Sequence, residues 1–594
     1  MIKKIILSSL IIVSAGSFYS CKDEVADIDK MQWFRDAKFG IFVHWNHYSL
    51  AHKLIIEKGQ IPGNDIGQEK LITFEEMKAL QKKFNPVKFD AGEWVKLFKQ
   101  AGAKYLTYTA YHTQISMFDN PYTDYDIMNT QFKRDVSREI ADATREEGLK
   151  LFFYFGVNQP EYTPYPDGHE DINSPYYKYI YNIAEHLLTN YGKLDGIWWD
   201  GNHPFKQRNE ELSNMARKHQ PHIIMTRRFG KILGDFGTPE QSVGKFNIYD
   251  DWESCMPIEG INWHYYGGKD IKDLPTCLKM LIQCAGNGGN LLLNISPLSD
   301  GSIQPEQRIV LEGIGEWLNK YGKGIYKTEG GPYVSGQWGV STYIDNRVFI
   351  YTTQHLADGK LELPALPVKI KNYKLLTGGE CKLEKEGEKF IFTFDEEASY
   401  PEVATIVELK MSKNLFDIEP ISTEKTPVSL TNDSKVIASS EKFPSSIAKA
   451  VVYHSGFDTK LRDIMVQRKK LAGREKRKAF IAAKREELGY GFEFGNRHFK
   501  KRYWMADDDD QQPWIEVDMG KTVTFDRVHI VEHNNRIKQF ELQYFKEGQW
   551  KTFHTGKLLN YFNLKHSSIS TSKVRLLITK TVGGPPAIKM IDLY

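Results

Sequence analysis

Leu194-Asp195-Gly196-Ile197-Trp198-Trp199-Asp200-Gly201 is an apolar, aromatic run that ends abruptly in a carboxylate and a glycine. Its length and its ending predict a buried strand that delivers Asp200 to the rim of a sheet. Two indoles beside the acid exclude water and raise its electrostatic leverage. An aspartate in this position also serves as the N-cap of a following helix. The choice between cap and functional acid turns on whether other strands in the chain end in the same way.

They do. Upstream, Phe39-Gly40-Ile41-Phe42-Val43 reads as a buried strand ending in His44, and Lys104-Tyr105-Leu106-Thr107-Tyr108-Thr109-Ala110 as a second, with Tyr111 and His112 at its end. Residues 149–156 (LKLFFYFG) form a third, with Tyr154 near its end, and Ile223-Ile224-Met225-Thr226-Arg227-Arg228 a fifth. Gly289-Asn290-Leu291-Leu292-Leu293-Asn294-Ile295 is a later one. Between them lie helical patterns: Trp94, Leu97 and Phe98 share one face, residues 137–148 form an amphipathic helix closed by Gly148, and residues 176–191 lead into the opening strand. Continuous apolar strands alternating with helices indicate a parallel sheet covered on both faces. Over residues 28–330 this predicts a (β/α)8-like, TIM-type barrel, whose site lies at the C-terminal ends of its strands. Gly286-Asn287-Gly288-Gly289 precedes a strand and does not join strand to helix, so no nucleotide fingerprint is present.

At 594 residues the chain exceeds a single core, and further units follow. Residues 331–411 carry short strand patterns such as Val348-Phe349-Ile350-Tyr351-Thr352-Thr353, which predict a β-sandwich. Residues 412–429, rich in Pro, Thr, Ser and Glu, read as a linker, and residues 430–594 as a second sandwich. Inside that last unit, residues 468–478 (RKKLAGREKRK) form a basic insertion. A solvated helical face is its commoner meaning, and an anionic-polysaccharide or surface contact the alternative.

The net charge of +3, from 79 basic and 76 acidic residues, gives no generally electropositive surface, so nucleic acid is not an implied partner. Aromatic residues make up 13%, which suits sugar rings as well as core packing. The N-terminus pairs Lys3 and Lys4 with an apolar stretch to Val13 and small residues thereafter, the form of a secretory signal spanning residues 1–21. Phe18-Tyr19-Ser20-Cys21 resembles a bacterial lipoprotein cleavage site, at which Cys21 becomes the lipidated first residue. A plain signal peptide cut nearby is the alternative. The lipoprotein reading makes the protein exported and anchored in the bacterial cell envelope, touching membrane only through its lipid. The other cysteines, Cys255, Cys277, Cys284 and Cys381, show no zinc spacing and no disulfide framework, although one bridge stays open.

Strand-end His44, His112, Tyr154, Asp200 and Arg228 with a nearby tryptophan read as a sugar site. Glycoside cleavage asks for a second carboxylate from a loop after a later strand. At this point residues 30–410 resemble the family 29 glycoside hydrolases, retaining α-L-fucosidases, through several long motifs in order: WFRDAKFGIFVHW (33–45), FNPVKFDAGEW (84–94), AGAKYLTYTA (101–110), SREIADATREEGLK (137–150), LDGIWWDG (194–201), GNGGNLLLNISPLSDG (286–301) and GEWLNKYGKGIY (315–326). The resemblance implies that Asp200 is the nucleophile and that His44, His112, Tyr154, Trp198 and Arg228 contact fucose. It places the acid/base on Glu240, in Gly237-Thr238-Pro239-Glu240, ahead of Glu253 in Asp251-Trp252-Glu253-Ser254-Cys255. It implies no metal and no organic cofactor, and a fucosylated oligosaccharide or glycoconjugate as substrate.

The chain also departs from the family pattern. The usual His-His pair after the second strand is Tyr111-His112-Thr113-Gln114, one imidazole short; the usual His-Trp-Gly is His44-Trp45-Asn46; and residues 50–65 hold no clear Glu-Trp-Tyr. These positions line the pocket for the terminal sugar, so a galactose-configured sugar, or a non-catalytic glycan-binding role, stands as the alternative to fucose hydrolysis. The last unit resembles a discoidin-like, galactose-binding-fold (F5/8 type C-like) module through Val436-Ile437-Ala438-Ser439-Ser440 and QPWIEVDMGK (512–521). Such modules often bind sugar through loops at one end. Here an insertion of about residues 453–503 replaces that region, which leaves a purely structural role equally open.

Overall fold

The computed structural model describes residues 29–58, 72–112, 115–157, 173–201, 209–229 and, apart from short stretches, 234–439 and 504–594. The signal segment with Cys21, the basic insertion, Ser440 and Thr113-Gln114 lie outside the described residues.

Among the described residues, seven parallel strands form the sheet of the first unit: β1 (Phe39–Val43), β2 (Tyr105–Tyr111), β3 (Lys150–Gly156), β4 (Gly196–Asp200), β5 (Ile224–Met225), β6 (Glu253–Pro257) and β7 (Asn290–Ile295). Their order is β5-β4-β3-β2-β1-β7-β6. The gap between β5 and β6 is bridged by residues 236–240, which pair in parallel with both sides: Phe236 with Thr226, Gly237 with Trp252, and Glu240 with Cys255. This segment occupies the eighth position of the barrel. Pro239 supplies no N–H, so the segment makes a broken ladder and not a regular strand.

Side-chain alternation along β4 sets the layers of the barrel. Gly196, Trp198 and Asp200 point inward, while Trp199 faces outward and donates its Nε1–H to the Met225 sulfur at 3.1 Å. In register across the sheet, Phe152 lies beside Gly196, Tyr154 beside Trp198, and Gly156 beside Asp200. A Cβ on Gly196 would come within 1.9 Å of the Phe152 ring, and one on Gly40 within 2.4 Å of Tyr105. These two glycines make room for large rings in the lower barrel. The interior is therefore aromatic: Phe42, Tyr105, Phe152, Tyr154, Trp198 and Phe236 pack together, with Phe34 of the N-terminal helix Gln32–Ala37 closing the bottom. Burying each such side chain contributes roughly 1.5–3 kcal/mol.

Outside the sheet, helices start where polar residues precede apolar runs. Asp90, Asp135, Ser174 and Asp273 each accept a hydrogen bond from the backbone N–H three residues on, caps worth about 1 kcal/mol apiece. The predicted helix at 137–148 is Val136–Glu146. The predicted fifth strand is shorter than its apolar pattern: β5 ends at Met225, and Arg227–Phe229 form a 3-10 turn. Thr226 stays beside the sheet, pairing with Phe236 and donating from Oγ1 to Trp199 O at 2.8 Å, and the chain turns away at Arg227.

The second unit has a five-stranded and a three-stranded antiparallel sheet around Tyr333, Val348, Phe392 and Leu409. It docks on the barrel's outer layer through Val340, Phe349 and Tyr351, with Tyr351 Oη donating to Gly324 O at 2.7 Å. The stretch read as a linker belongs to this sandwich in its first half. Leu415 is fully buried in the sandwich core, and Val334 N–H donates to Ile421 O at 2.9 Å. An apolar residue every few positions among the prolines, Leu415, Ile418 and Ile421, is what ties it down. The third unit is a separate antiparallel β domain with its own core of Trp504, Ile515, Phe525, Phe540 and Leu576. Its long strand Trp514–Glu532 bends at two irregularities, between 518 and 523 and between 525 and 527. Among the described residues, Cys255, Cys277, Cys284 and Cys381 are free thiols, so none of these four bridges another.

Candidate active site

Asp200, the last residue of β4, stands at the C-terminal face with its side chain half-buried. Tyr154 Oη donates to Asp200 Oδ2 at 2.6 Å. Burial, reinforced by the neighbouring Asp200 charge, holds the Tyr154 phenol well above its ordinary value, so it stays a donor. Arg228 donates from Nη1 to Asp200 Oδ1 at 3.1 Å and from Nη2 to Glu240 Oε2 at 2.6 Å. Its Nε–H donates to Thr238 Oγ1 at 3.0 Å, and the guanidinium lies 4.7 Å from the centre of the Trp198 ring. One planar cation thus joins two carboxylates brought from different barrel positions, β4 and the irregular closing segment. Glu240, at the rim end of that segment, is the more exposed of the two.

On the opposite wall, His44 donates from Nδ1 to Asn294 Oδ1 at 2.6 Å. The orientation of the Asn294 amide is fixed because its nitrogen donates to Trp263 O at 2.8 Å. His44 Nε2 is then the acceptor nitrogen. Burial, then the nearby His112, holds the His44 imidazole well below its ordinary value. His112 stacks on Tyr154 with ring centres 5.2 Å apart; burial lowers it to about 4, against an opposing pull from Asp200. Both rings are neutral near pH 7. The pocket is therefore a ring of neutral imidazoles and aromatic faces opposite a carboxylate pair clamped by one arginine. That arrangement suits a polyhydroxylated ring with one reactive carbon.

The family model described as Alpha-L-fucosidase matches residues 11–323. The chain belongs to the alpha-L-fucosidase family. Among relatives, it is 26% identical over 329 residues to the plasma alpha-L-fucosidase of Homo sapiens, covering 50% of this chain and 69% of that one. Among solved structures, alpha-L-fucosidase isoenzyme 1 from Paenibacillus thiaminolyticus superposes with a TM-score of 0.57 at 28% identity, over 65% of this chain and 99% of that one. The Thermotoga maritima alpha-fucosidase in complex with fucose gives 0.53 at 26%, over 64% and 96%. Residues 493–591 match the F5/8 type C domain model.

Within this family frame the structure separates the two candidate glutamates. Glu240 reaches the rim. Glu253 is the first residue of β6, fully buried two residues below Cys255. Its Oε1 accepts from Trp198 Nε1 at 2.7 Å and its Oε2 from Tyr105 Oη at 2.7 Å. Both oxygens are committed to aromatic donors beneath the pocket, so Glu253 is not brought together with Asp200. Its place is to hold Trp198, the floor on which Arg228 rests. Asn294, Thr238 and Trp263 also shape the site and were not singled out from the sequence. Asn294 was legible only as the penultimate residue of a strand.

Burial raises the Glu253 carboxyl to about 7, despite the hydrogen bonds from Tyr105 and Trp198. A carboxyl raised in the folded state binds its proton more tightly there than in the unfolded chain. Its contribution is fully present below about pH 4.5 and is lost as pH rises through 7, on the order of 3 kcal/mol in all. The buried histidines act in the opposite sense, so the effect is isolated by difference. Between pH 4.5 and 7.5, the stability of wild type minus that of Glu253→Gln, from urea unfolding, should fall with rising pH. A flat difference would contradict this.

Proposed function

We propose that the protein is a retaining exo-glycosidase that releases terminal α-L-fucose from glycans. The observation that carries the reading is the pairing of Asp200 with Glu240 through Arg228 at the C-terminal face of a barrel that belongs to the alpha-L-fucosidase family. Asp200 attacks the anomeric carbon and forms a covalent glycosyl-enzyme, while Glu240 protonates the departing oxygen. Glu240 then takes a proton from the water that releases the sugar, so the anomeric configuration is retained. Arg228 and Tyr154 keep Asp200 aimed. A second carboxylate held beside the first favours hydrolysis over a purely glycan-binding role.

The test is hydrolysis of an aryl α-L-fucoside beside an aryl β-D-galactoside, with the anomer of the first-formed sugar followed by NMR. Turnover of the fucoside with retention is expected. Turnover of neither substrate, or inversion, would sink the proposal, and preference for the galactoside would replace fucose by the galactose-configured alternative.

The export and lipid anchor rest on the sequence around Lys3, Lys4 and Cys21. In a bacterial host the full chain should fractionate with membranes, and Cys21→Ser should release it. Equal membrane retention of the variant would remove the anchor from the proposal.

A further inference from the structure

A third imidazole stands beside His44 and His112. His264, in the loop after β6, is buried, with its ring 5.4 Å from that of His44 and 5.3 Å from that of His112, edge to face in both cases. Tyr48 packs on it at 5.3 Å. Its tautomer follows from the hydrogen-bond network. Asn46 Oδ1 accepts from Tyr48 N–H at 2.8 Å, which turns the Asn46 amide nitrogen toward His264 Nε2 at 3.4 Å. That nitrogen donates, so Nε2 accepts and the proton of neutral His264 sits on Nδ1. Burial, then the neighbouring imidazoles His112, His44 and His47, disfavours a second proton. A metal reading of this cluster is not supported: among the described residues no group of three or more His, Cys, Asp or Glu is placed to hold an ion.

From this geometry we infer that His264, oriented by Asn46, is a specificity-determining residue of the glycone pocket, donating from Nδ1 to a ring hydroxyl of the terminal sugar. His44 presents the complementary acceptor, Nε2. One wall thus offers a fixed donor and a fixed acceptor to neighbouring hydroxyls, which discriminates between sugars by hydroxyl position. Two departures read separately in the sequence, Asn46 after the first strand and the missing imidazole after the second, converge here. Asn46 serves to aim an imidazole supplied from a different strand end. The inference rests on the glycosidase reading of the same site, and its test includes a measurement that does not need turnover.

The variants are His264→Phe, which keeps the ring volume and removes the donor, His264→Gln, which keeps a donor, and Asn46→Gly, which removes the orienting amide. Binding of free L-fucose is read by calorimetry, and kcat/KM on an aryl α-L-fucoside is read in parallel. His264→Phe should weaken both by about ten- to a hundredfold. His264→Gln should recover part of the loss, and Asn46→Gly should have little further effect in a His264→Phe background. Fucose affinity and kcat/KM of folded His264→Phe within twofold of wild type would overturn the inference. If wild type binds L-fucose but turns over no substrate, the glycosidase reading fails while the binding measurement still decides His264. If wild type neither binds nor hydrolyses, both are overturned.

Discussion

Asp200→Ala should lower kcat/KM on an aryl α-L-fucoside by about four to six orders of magnitude, the scale on which removing a member of a catalytic set acts. The loss has two sources. No carboxylate remains to form the glycosyl-enzyme, and the positive charge developing at the anomeric carbon loses the Asp200 carboxylate as its partner. The fold should survive. Asp200 lies at the rim, half-buried, and Arg228 keeps its bonds to Glu240 and Thr238. Circular dichroism and thermal unfolding close to wild type would confirm that chemistry, not folding, was lost. A 2-fluoro glycosyl fluoride should label the peptide containing Asp200 in wild type, as detected by mass spectrometry. A variant with activity within tenfold of wild type, or a label on another residue, would remove Asp200 from the nucleophile role.

Glu240→Ala should cost about a hundred- to ten-thousandfold, the range for general acid-base catalysis, and the loss should depend on the leaving group. An aryl group that departs readily needs little protonation, so its first step should be spared relative to a sugar leaving group. Azide, a nucleophile that needs no base, should restore turnover and give a fucosyl azide product. Glu253→Gln should show neither behaviour, because its carboxyl bonds Trp198 and Tyr105 beneath the pocket. If Glu253→Gln gave the azide rescue and Glu240→Ala did not, the acid/base assignment would be reversed. Arg228 sharpens the comparison: it pairs with both Asp200 and Glu240, so removing Glu240 takes one of these two carboxylates off the guanidinium. The kcat of the alanine variant therefore also carries a change in the nucleophile's surroundings.

Much of this site was legible because strands buried on both faces leave a continuous apolar signature, and polar residues that end such runs stand out. His44, His112, Tyr154 and Asp200 were found in this way. The apolar pattern places Arg228 at the end of a longer strand, whereas in the structure it lies in a 3-10 turn beyond Thr226. The closing segment at 236–240 was not legible as part of the barrel at all. Its Gly-Thr-Pro interior breaks the apolar pattern, and only its pairing with Thr226, Trp252 and Cys255 reveals its place.

The sequence by itself determined the alternating α/β class, the aromatic strand that carries Asp200, and the family motifs along the first half of the chain. Local apolar periodicity and ordered motifs are properties of neighbours in sequence, so they can be read without a fold. Which glutamate faces Asp200, and which imidazole joins His44 and His112, depends on residues far apart in the chain meeting across the barrel. Glu240 pairs with Cys255, two residues above Glu253, so one stands at the rim and the other beneath the pocket. His264 meets Asn46 across 218 positions. Those relations were decided by the tertiary structure, because the closing of the sheet sets which strand ends share one face and at what level.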